Sequence, residues 1–216
     1  LSQMIGKLEQ KVEAQEVFLA GASHELKTPV GLVRGYAEAL ELGYWSTDAE
    51  RDELIGTIVK EADRLDRLVR ELSFVAMDGG AGRSLLLNDS DLAATARLAA
   101  GRFMRDAEAR GIALSVDGVT IFQARCDEHR LVQALDNLLS NAVKYSTPGS
   151  TVIVRAIPHD ATWRVEVQDQ GPGISPVERD RLFKDFSRLS AQPTGGERST
   201  GLGLSITRRV TEAQQG

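Results

Sequence analysis

Two apolar stripes with helical spacing, both within the first 77 residues, constrain the fold of this chain more than any other feature. In the first stripe the steps alternate between three and four residues, which is the pattern of a coiled-coil seam with one polar position. Its members are Ile5, Leu8, Val12, Gln15, Leu19, Ala22 and Leu26, continued by Val30, Val33, Ala37 and Leu40. This stripe predicts one long helix over residues 1–43, and the polar and glycine-containing stretch 43–48 ends it.

The second stripe predicts a second helix from about residue 48 to residue 77, with Thr47 or Asp48 as its N-cap. Its members are Leu54, Ile58, Ala62 or Glu61, Leu65, Leu68, Leu72 and Val75. Two helices cannot bury two long stripes completely, whereas a second copy of the hairpin would close a four-helix bundle. We therefore expect a homodimer through residues 1–77.

Charge and composition argue against several classes of function. The net charge of −5 arises in residues 1–77, where 9 Lys and Arg face 14 Asp and Glu, while residues 78–216 hold 17 of each. An acidic hairpin does not suit nucleic acid, and no basic stripe with interleaved aromatic residues follows, so we expect no nucleic-acid partner. No apolar run approaches the length of a membrane span, and the single cysteine, Cys126, cannot form an internal disulfide.

The Gly-rich stretch 78–83 predicts a linker, after which helices and strands alternate. Strands are expected at 84–87, 112–116, 121–124, 151–157 and 162–168. Helices are expected from a cap at Asn88, Asp89 or Ser90 to about residue 110, over 128–145, near 177–183 and over 202–213. The long segment 171–200, rich in Gly, Pro and charge, is typical of a functional lid. The second half of the chain is therefore expected to form an α/β domain.

The block 23–29 offers a nucleophile on the first helix. His24 falls outside the apolar seam and is expected to face water, where a neutral imidazole is a good nucleophile near neutral pH. Glu25 can accept the proton that the other ring nitrogen must lose. Pro29 clashes with the carbonyl group of Glu25, so we expect the helix to bend or loosen one turn after His24. A lone exposed histidine on a helix is usually inert. The interpretation of His24 as a nucleophile therefore depends on the blocks that follow.

The block 137–145 places polar side chains along one helix. Asn137 and Asn141 are four residues apart, so one amide lies above the next, and Lys144 and Tyr145 follow. An amide oxygen suits Mg²⁺, a lysine supplies a positive charge for phosphate, and a tyrosine ring offers a face for adenine. From the residues alone, the outer face of an ordinary helix explains this block equally well.

Two further blocks contain paired glycines. The first comprises Asp169, Gly171, Gly173 and Ile174, and the second comprises Gly201, Leu202, Gly203 and Leu204. The carboxylate of Asp169 can accept a hydrogen bond from the amine group of adenine, although the same residues also form ordinary turns. The second block opens the last helix, where bare backbone N–H groups bind phosphate, yet a Gly-x-Gly pair most often marks only a turn.

The stretch 183–188 lies within the expected lid. Phe183 and Phe186 are three residues apart and could anchor the lid in an apolar pocket or simply pack in the core. Arg188 is the better functional candidate, because a guanidinium group can stabilise charge on a transferred phosphoryl group. Taken alone, it would be interpreted as a solvated charge.

Together, and in this order, the blocks resemble the H, N, G1, F and G2 boxes of bacterial sensor histidine kinases. The resemblance covers nearly the whole chain. It implies a dimerisation and histidine phosphotransfer domain at 1–77, a linker at 78–83 and a catalytic ATP-binding domain at 84–216. The implied ATP-binding domain is the α/β sandwich with a mixed sheet found in gyrase, Hsp90, histidine kinases and MutL.

The resemblance also implies a reaction and its partners. ATP with Mg²⁺ would phosphorylate His24, and the phosphoryl group would pass to an aspartate of a response-regulator receiver domain in two-component signal transduction. The implied catalytic residues are His24, Glu25, Thr28 and Arg188. Asn141 would bind the metal ion. The N, G1, F and G2 residues named above would bind the nucleotide. The position of Thr28 further implies a phosphatase activity. The resemblance implies an upstream sensor domain. It also implies that the chain is cytoplasmic, either as a protein of the cytoplasm or as the cytoplasmic part of a membrane-bound sensor.

Two departures from the family pattern leave an alternative open. Members of the family continue into a final β-hairpin beyond the position of Gly216, so we expect the ATP-binding domain here to lack its final strands. The G2 block also lacks an immediately preceding glycine. A dimeric signalling scaffold with impaired or lost ATP turnover therefore remains the alternative hypothesis.

Overall fold

A computed structural model of the chain divides into two compact units, an N-terminal unit at Leu1–Ala81 and a C-terminal unit at Gly82–Gly216. The structure describes residues 2–78, 85–118, 121–159, 162–196 and 199–214. Most of the expected linker 78–83, and Ser84 of the first expected strand, lie outside these residues, as do the side chains of Ile5 and Leu8.

The N-terminal unit is a hairpin of two long helices, as the two stripes predict. Helix α1 spans Ser2–Glu41 and continues through Pro29, and helix α2 spans Asp48–Asp78. Thr47 and Glu50 begin α2 as a capping box: the N–H of Glu50 donates to Thr47 Oγ1 at 3.2 Å, and the N–H of Thr47 donates to Glu50 Oε2 at 3.3 Å.

Where the two helices face each other, part of each stripe is buried. Ala22 and Pro29 of α1 and Leu68 and Val75 of α2 are buried within a single hairpin. A second set of apolar side chains stays about half exposed, and it comprises Val12, Leu19 and Val30 on α1 and Ile55, Val59 and Val69 on α2. A single copy of the hairpin therefore leaves an apolar face on each helix uncovered.

The C-terminal unit alternates strands and helices. Its elements are β1 (Asn88–Asp91), α3 (Leu92–Ala109), β2 (Ala113–Gly118), β3 (Gln123–Cys126), α4 (Glu128–Tyr145), β4 (Thr151–His159), β5 (Thr162–Gln168), a 3₁₀ helix (Pro176–Arg181) and α5 (Gly203–Ala213). Over the described residues, β2, β4 and β5 form a sheet in that order, and β1 pairs with β3. The sheet is mixed, because β2 runs parallel to β4 while β5 runs antiparallel to it.

The core of this unit lies between the mixed sheet and the helices α3 and α4. Leu135 and Leu139 of α4 and Val152 and Val154 of β4 are almost fully buried in it. Helix α5 packs against α4, and its Ile206 and Val210 are buried as well. The fold is thus a helical hairpin followed by an α/β domain with a mixed sheet, as predicted.

The first strand of the C-terminal unit differs from the prediction. Residues 85–87 are not a strand, and the strand β1 lies at Asn88–Asp91 instead. Asp91, rather than Asn88, Asp89 or Ser90, caps α3: its carboxylate accepts from Ala93 N and from Phe122 N, both at 3.0 Å. The prediction was wrong because all four residues of β1 are polar, and the strand is defined by its pairing with β3, which local sequence does not reveal.

None of the helices within the described ranges is long and apolar enough to cross a lipid bilayer.

Candidate active site

His24 lies on α1 with 80% of its side chain exposed, as its place outside the seam predicts. Its Nδ1 atom is 3.6 Å from Oε1 of Glu25. Adjacent helical residues do not face each other, so this approach depends on the side-chain rotamers. Because Nδ1 is the nitrogen beside the carboxylate, Nε2 is the nitrogen left to act as a nucleophile.

Glu25 differs sharply from its neighbour, because only 8% of the residue is exposed. Arg64 of α2 approaches it, with Nη2 3.6 Å from Glu25 Oε2, and the same guanidinium has Nη1 3.4 Å from Glu61 Oε2. Sequence reasoning missed Arg64. The sequence feature that could have revealed it is Glu61, which can take the place of Ala62 in the apolar stripe of α2. A charged residue in that stripe indicates a charged patch where α2 faces α1.

Thr28 lies one turn after His24 and is partly buried. Pro29, next to it, is buried against the hairpin interior. These residues belong to the N-terminal unit, and the nucleotide blocks belong to the C-terminal unit.

Helix α4 carries the residues of the N box and is firmly capped. Asp127 accepts a hydrogen bond from Arg130 N at 3.2 Å, and its own backbone N–H donates to Gln214 Oε1 at 2.7 Å. Along the helix, Asn137, Asn141, Lys144 and Tyr145 are all partly exposed. Helix α4 thus presents these four side chains at the edge of the core rather than inside it.

Asn137 connects α4 to the second glycine block. Its Nδ2 donates to the carbonyl oxygen of Gly203 at 3.1 Å, and a Cβ on Gly203 would lie 3.5 Å from the Asn137 side chain. Leu202 and Ile206 are fully buried beside this contact. The N box and the start of α5 are therefore neighbours in the fold, although 66 residues separate Asn137 from Gly203.

The Asp169 block lies beside the end of α4. Gly171 N donates to Asp169 Oδ1 at 2.8 Å. A Cβ on Gly171 would lie 2.9 Å from that oxygen and 3.0 Å from the carbonyl oxygen of Tyr145, so the backbone here approaches α4 too closely for a side chain. Asp169 and Gly173 are exposed, and Ile174 is 44% exposed.

The segment around Phe186 is tied to α5. Arg209 Nη2 donates to Asp185 Oδ2 at 2.6 Å, and Phe186 adopts a positive φ of 57°. Gly201 has a φ of 75°, and a Cβ there would lie 2.6 Å from the carbonyl carbon of Phe186. Phe183 is 41% exposed, and the guanidinium of Arg208 lies 5.8 Å from its ring centre.

The segment around Thr194 returns to α4. The backbone N–H of Thr194 donates to the carbonyl oxygen of Lys144 at 2.9 Å. The hydroxyl group of Thr194 donates to the carbonyl oxygen of Ser146 at 3.2 Å. Arg188 is exposed. In the C-terminal unit, the structure therefore brings the N, G1, F and G2 residues around the end of α4 and the start of α5.

The pKa values of Asp136 and Cys126 are both raised. Burial raises the pKa of Asp136, opposed by the charge of Arg102, whose Nη1 donates to it at 2.8 Å. Burial also raises the pKa of the Cys126 thiol, which disfavours its reactive thiolate form. No cluster of three or more His, Cys, Asp or Glu suited to a metal ion occurs among the residues that the structure describes.

Two family models match the two parts of this arrangement. The His Kinase A (phospho-acceptor) domain matches residues 14–80. The Histidine kinase-, DNA gyrase B-, and HSP90-like ATPase family matches residues 126–216. The first match contains His24, and the second contains the four nucleotide blocks.

Individual relatives are similar over most of the chain. The sensor protein SrrB of Staphylococcus aureus is 30% identical over 199 residues, which are 92% of this chain and 34% of SrrB. The chain thus spans about a third of the length of the curated relatives it matches. Among solved structures, the Acinetobacter baumannii histidine kinase AdeS has a TM-score of 0.71 at 25% identity, covering 88% of this chain and 86% of AdeS.

The structure of full-length ShkA in complex with AMPPNP has a TM-score of 0.64 at 31% identity, covering 90% of this chain and 40% of ShkA. The phosphoacceptor and ATPase families thus follow each other here in the order that the blocks predict. The chain belongs to the sensor histidine kinases and carries their catalytic core.

Proposed function

We propose that this chain uses ATP to phosphorylate its own His24. The single observation that carries the proposal is an exposed imidazole whose Nδ1 lies 3.6 Å from a carboxylate that is itself buried. In this assignment, residues 1–77 form the dimerisation and phosphotransfer domain, and residues 84–216 form the ATP-binding domain.

The phosphorylation step follows from the atoms of His24 and Glu25. The lone pair on His24 Nε2 attacks the γ-phosphorus of ATP, an N–P bond forms, and the bond from that phosphorus to the β,γ-bridging oxygen breaks to release ADP. The ring would become cationic, and the proton on Nδ1 passes to Glu25. Most of the catalysis comes from positioning and charge stabilisation, because phosphoryl transfer needs little covalent help from the protein.

The C-terminal unit would hold the nucleotide at the end of α4. Asp169 accepts a hydrogen bond from the adenine amine, Tyr145 offers its ring, and Lys144 and Arg188 supply positive charge to the phosphates. Backbone N–H groups around Gly201 and Gly203 face phosphate at the start of α5. The ShkA structure, from a relative with 31% identity, is a complex with AMPPNP, which supports the assignment.

Asn141 fits a role as the protein ligand of Mg²⁺. It is partly exposed one turn beyond Asn137, and an amide oxygen suits a cation that keeps several waters and binds largely through substrate phosphates. The bound ion would neutralise charge on the phosphates.

Partners and location follow from the family as further parts of the proposal. The phosphoryl group passes to an aspartate of a response-regulator receiver, and Thr28 positions a water when the same core acts as a phosphatase. The half-exposed apolar faces of α1 and α2 support a homodimer, because a second hairpin would cover them. An upstream domain supplies the signal to α1, and the core works in the cytoplasm.

The proposal is tested by incubating the chain with γ-³²P-labelled ATP and Mg²⁺. We expect acid-labile, alkali-stable labelling that is lost in His24→Gln and retained in the matched control His129→Gln, an exposed histidine outside the site. Asn141→Ala should lose labelling as well. Labelling that survives in His24→Gln would contradict the assignment. Folded wild-type protein that binds no nucleotide by calorimetry would favour the scaffold alternative.

A further inference from the structure

The hairpin contains a buried cluster of charges beside the exposed phosphoacceptor. Side-chain exposure is 9% for Glu25, 11% for Arg64 and 20% for Glu61, although all three side chains are ionisable. His24, adjacent to Glu25, is 80% exposed. The boundary between solvent and hairpin interior therefore runs between two consecutive residues of α1.

The two oxygens of Glu25 face different groups. Oε1 lies 3.6 Å from Nδ1 of His24, and Oε2 lies 3.6 Å from Nη2 of Arg64. A buried carboxylate is costly without a positive partner, and the delocalised guanidinium of arginine suits such buried pairs. Arg64 therefore stabilises the charged carboxylate and holds it in an orientation that leaves one oxygen for the imidazole.

Glu61 completes the cluster from the same helix as Arg64. Its Oε2 is 3.4 Å from Arg64 Nη1, so the guanidinium lies between two carboxylates, one on each helix. A planar group with several fixed donors can contact both, whereas a single ammonium cannot reproduce that arrangement. The cluster thus connects α2 to the residue that borders His24 on α1.

We propose that Arg64 is a positioning residue for phosphorylation, acting through Glu25 to keep the proton of the His24 ring on Nδ1. The inference rests on the proposed function, since it concerns the same nucleophile. It adds a residue outside the phosphoacceptor block 23–29 to those that the reaction needs, because the nucleophile on α1 depends on a side chain of α2. Any rearrangement that separates these helices would also release the carboxylate.

The first test compares the labelling rates of variants of this 216-residue chain with γ-³²P-labelled ATP. We expect Arg64→Met to slow labelling by about 10- to 100-fold, part of what a positioned general base contributes. Arg64→Lys should restore only part of the rate, because an ammonium group returns the positive charge but not the fixed donors that contact both carboxylates. The control is Arg70→Ala, which removes an exposed arginine two turns along the same helix and should leave the rate unchanged.

A double-mutant cycle separates action through Glu25 from a general loss of packing. In the Glu25→Gln background, Arg64→Met should have little further effect, because the carboxylate that it orients is gone. The double variant leaves no buried charge at position 25, and of the two carboxylates Glu61 is the more exposed, so the double variant is expected to fold even if Arg64→Met alone does not. An additive loss in the double variant would overturn the proposal.

The ¹⁵N NMR spectrum of His24 provides a readout that needs no ATP. The chain has three histidines, so the His24→Gln variant assigns the signal. For the neutral form of the ring, we expect the proton mainly on Nδ1 in the wild type, a shift towards Nε2 in Arg64→Met, and partial recovery in Arg64→Lys. An unchanged tautomer in Arg64→Met would overturn the inference. A wild-type chain that shows this tautomer response but no labelling would contradict only the proposed kinase function.

Discussion

At the scale of single residues, backbone conformation decides where the segment around Phe186 can meet the start of α5. Gly201 has a φ of 75° and lies against the backbone of Phe186 and Ser187. Phe186 itself has a φ of 57°, which is a strained conformation for a residue other than glycine, so two positions with positive φ lie against each other. A glycine at 201 is required both by its dihedral angle and by the space around it.

This double requirement predicts an unusually costly alanine substitution. Gly201→Ala combines a left-handed conformation with overpacking, and we expect it to lower the free energy of unfolding of the C-terminal unit by roughly 3 kcal/mol. The measurement is urea unfolding followed by circular dichroism. The control is Gly149→Ala, where φ is 85° but no atom lies within 4 Å of the added Cβ. Its expected cost is about 1 kcal/mol; equal costs would contradict the packing argument.

At the scale of secondary-structure elements, the sequence predicts helices better than strands. The limits of α4 at Glu128–Tyr145 and of β5 at Thr162–Gln168 match the prediction, because each has a strong local period and a clear cap or turn. Strand β1 was misplaced, since it depends on pairing with β3, more than 30 residues away. The Glu25–Arg64 pair was not predicted for the same reason: its register is set by how α1 and α2 pack.

The cap of α3 gives a prediction for pH. The N–H of Phe122 holds the pKa of Asp91 below its ordinary value of 3.8, helped by the N–H groups of Ala94 and Ala93 and opposed by burial. A carboxyl whose pKa is lower in the folded state stabilises the fold at pH values above 3.8, and this contribution is lost as the pH falls through the folded-state pKa.

Asp91→Ala should therefore be destabilising near neutral pH, and its deficit relative to the wild type should shrink as the solution is acidified below 3.8. Chemical unfolding of Asp91→Ala and of the wild type at a series of pH values measures this deficit in the free energy of unfolding and its change with pH. Asp91→Asn is the matched control, because its amide oxygen still accepts hydrogen bonds but does not titrate at acidic pH. A deficit in Asp91→Ala that stays constant across the acid range would show that the charged form is not what stabilises the cap.

At the scale of the whole molecule, the hairpin has more apolar surface than one copy can bury. Ile55, Val59 and Val69 lie within one face of α2 and are 44%, 53% and 50% exposed. On α1, Val12 and Leu19 are seven residues apart and similarly exposed. Both helices also carry a separate buried face, so the pattern is that of a bundle with two seams rather than of an isolated hairpin.

Charges placed on this face should separate the copies. Val59→Glu combined with Val69→Glu would bury two unpaired carboxylates at the expected interface, whereas a monomer would hold them in water at little cost. Sedimentation velocity at micromolar concentration should change from dimer to monomer, and Leu98→Glu, at a residue 55% exposed on α3, should not cause this change. A wild-type monomer at that concentration would refute the dimer. A double variant that stays dimeric would place the interface elsewhere.

Because the substitutions lie outside the cluster of Glu25, Arg64 and Glu61, a monomer that keeps the His24 tautomer would show that this cluster is complete within one hairpin.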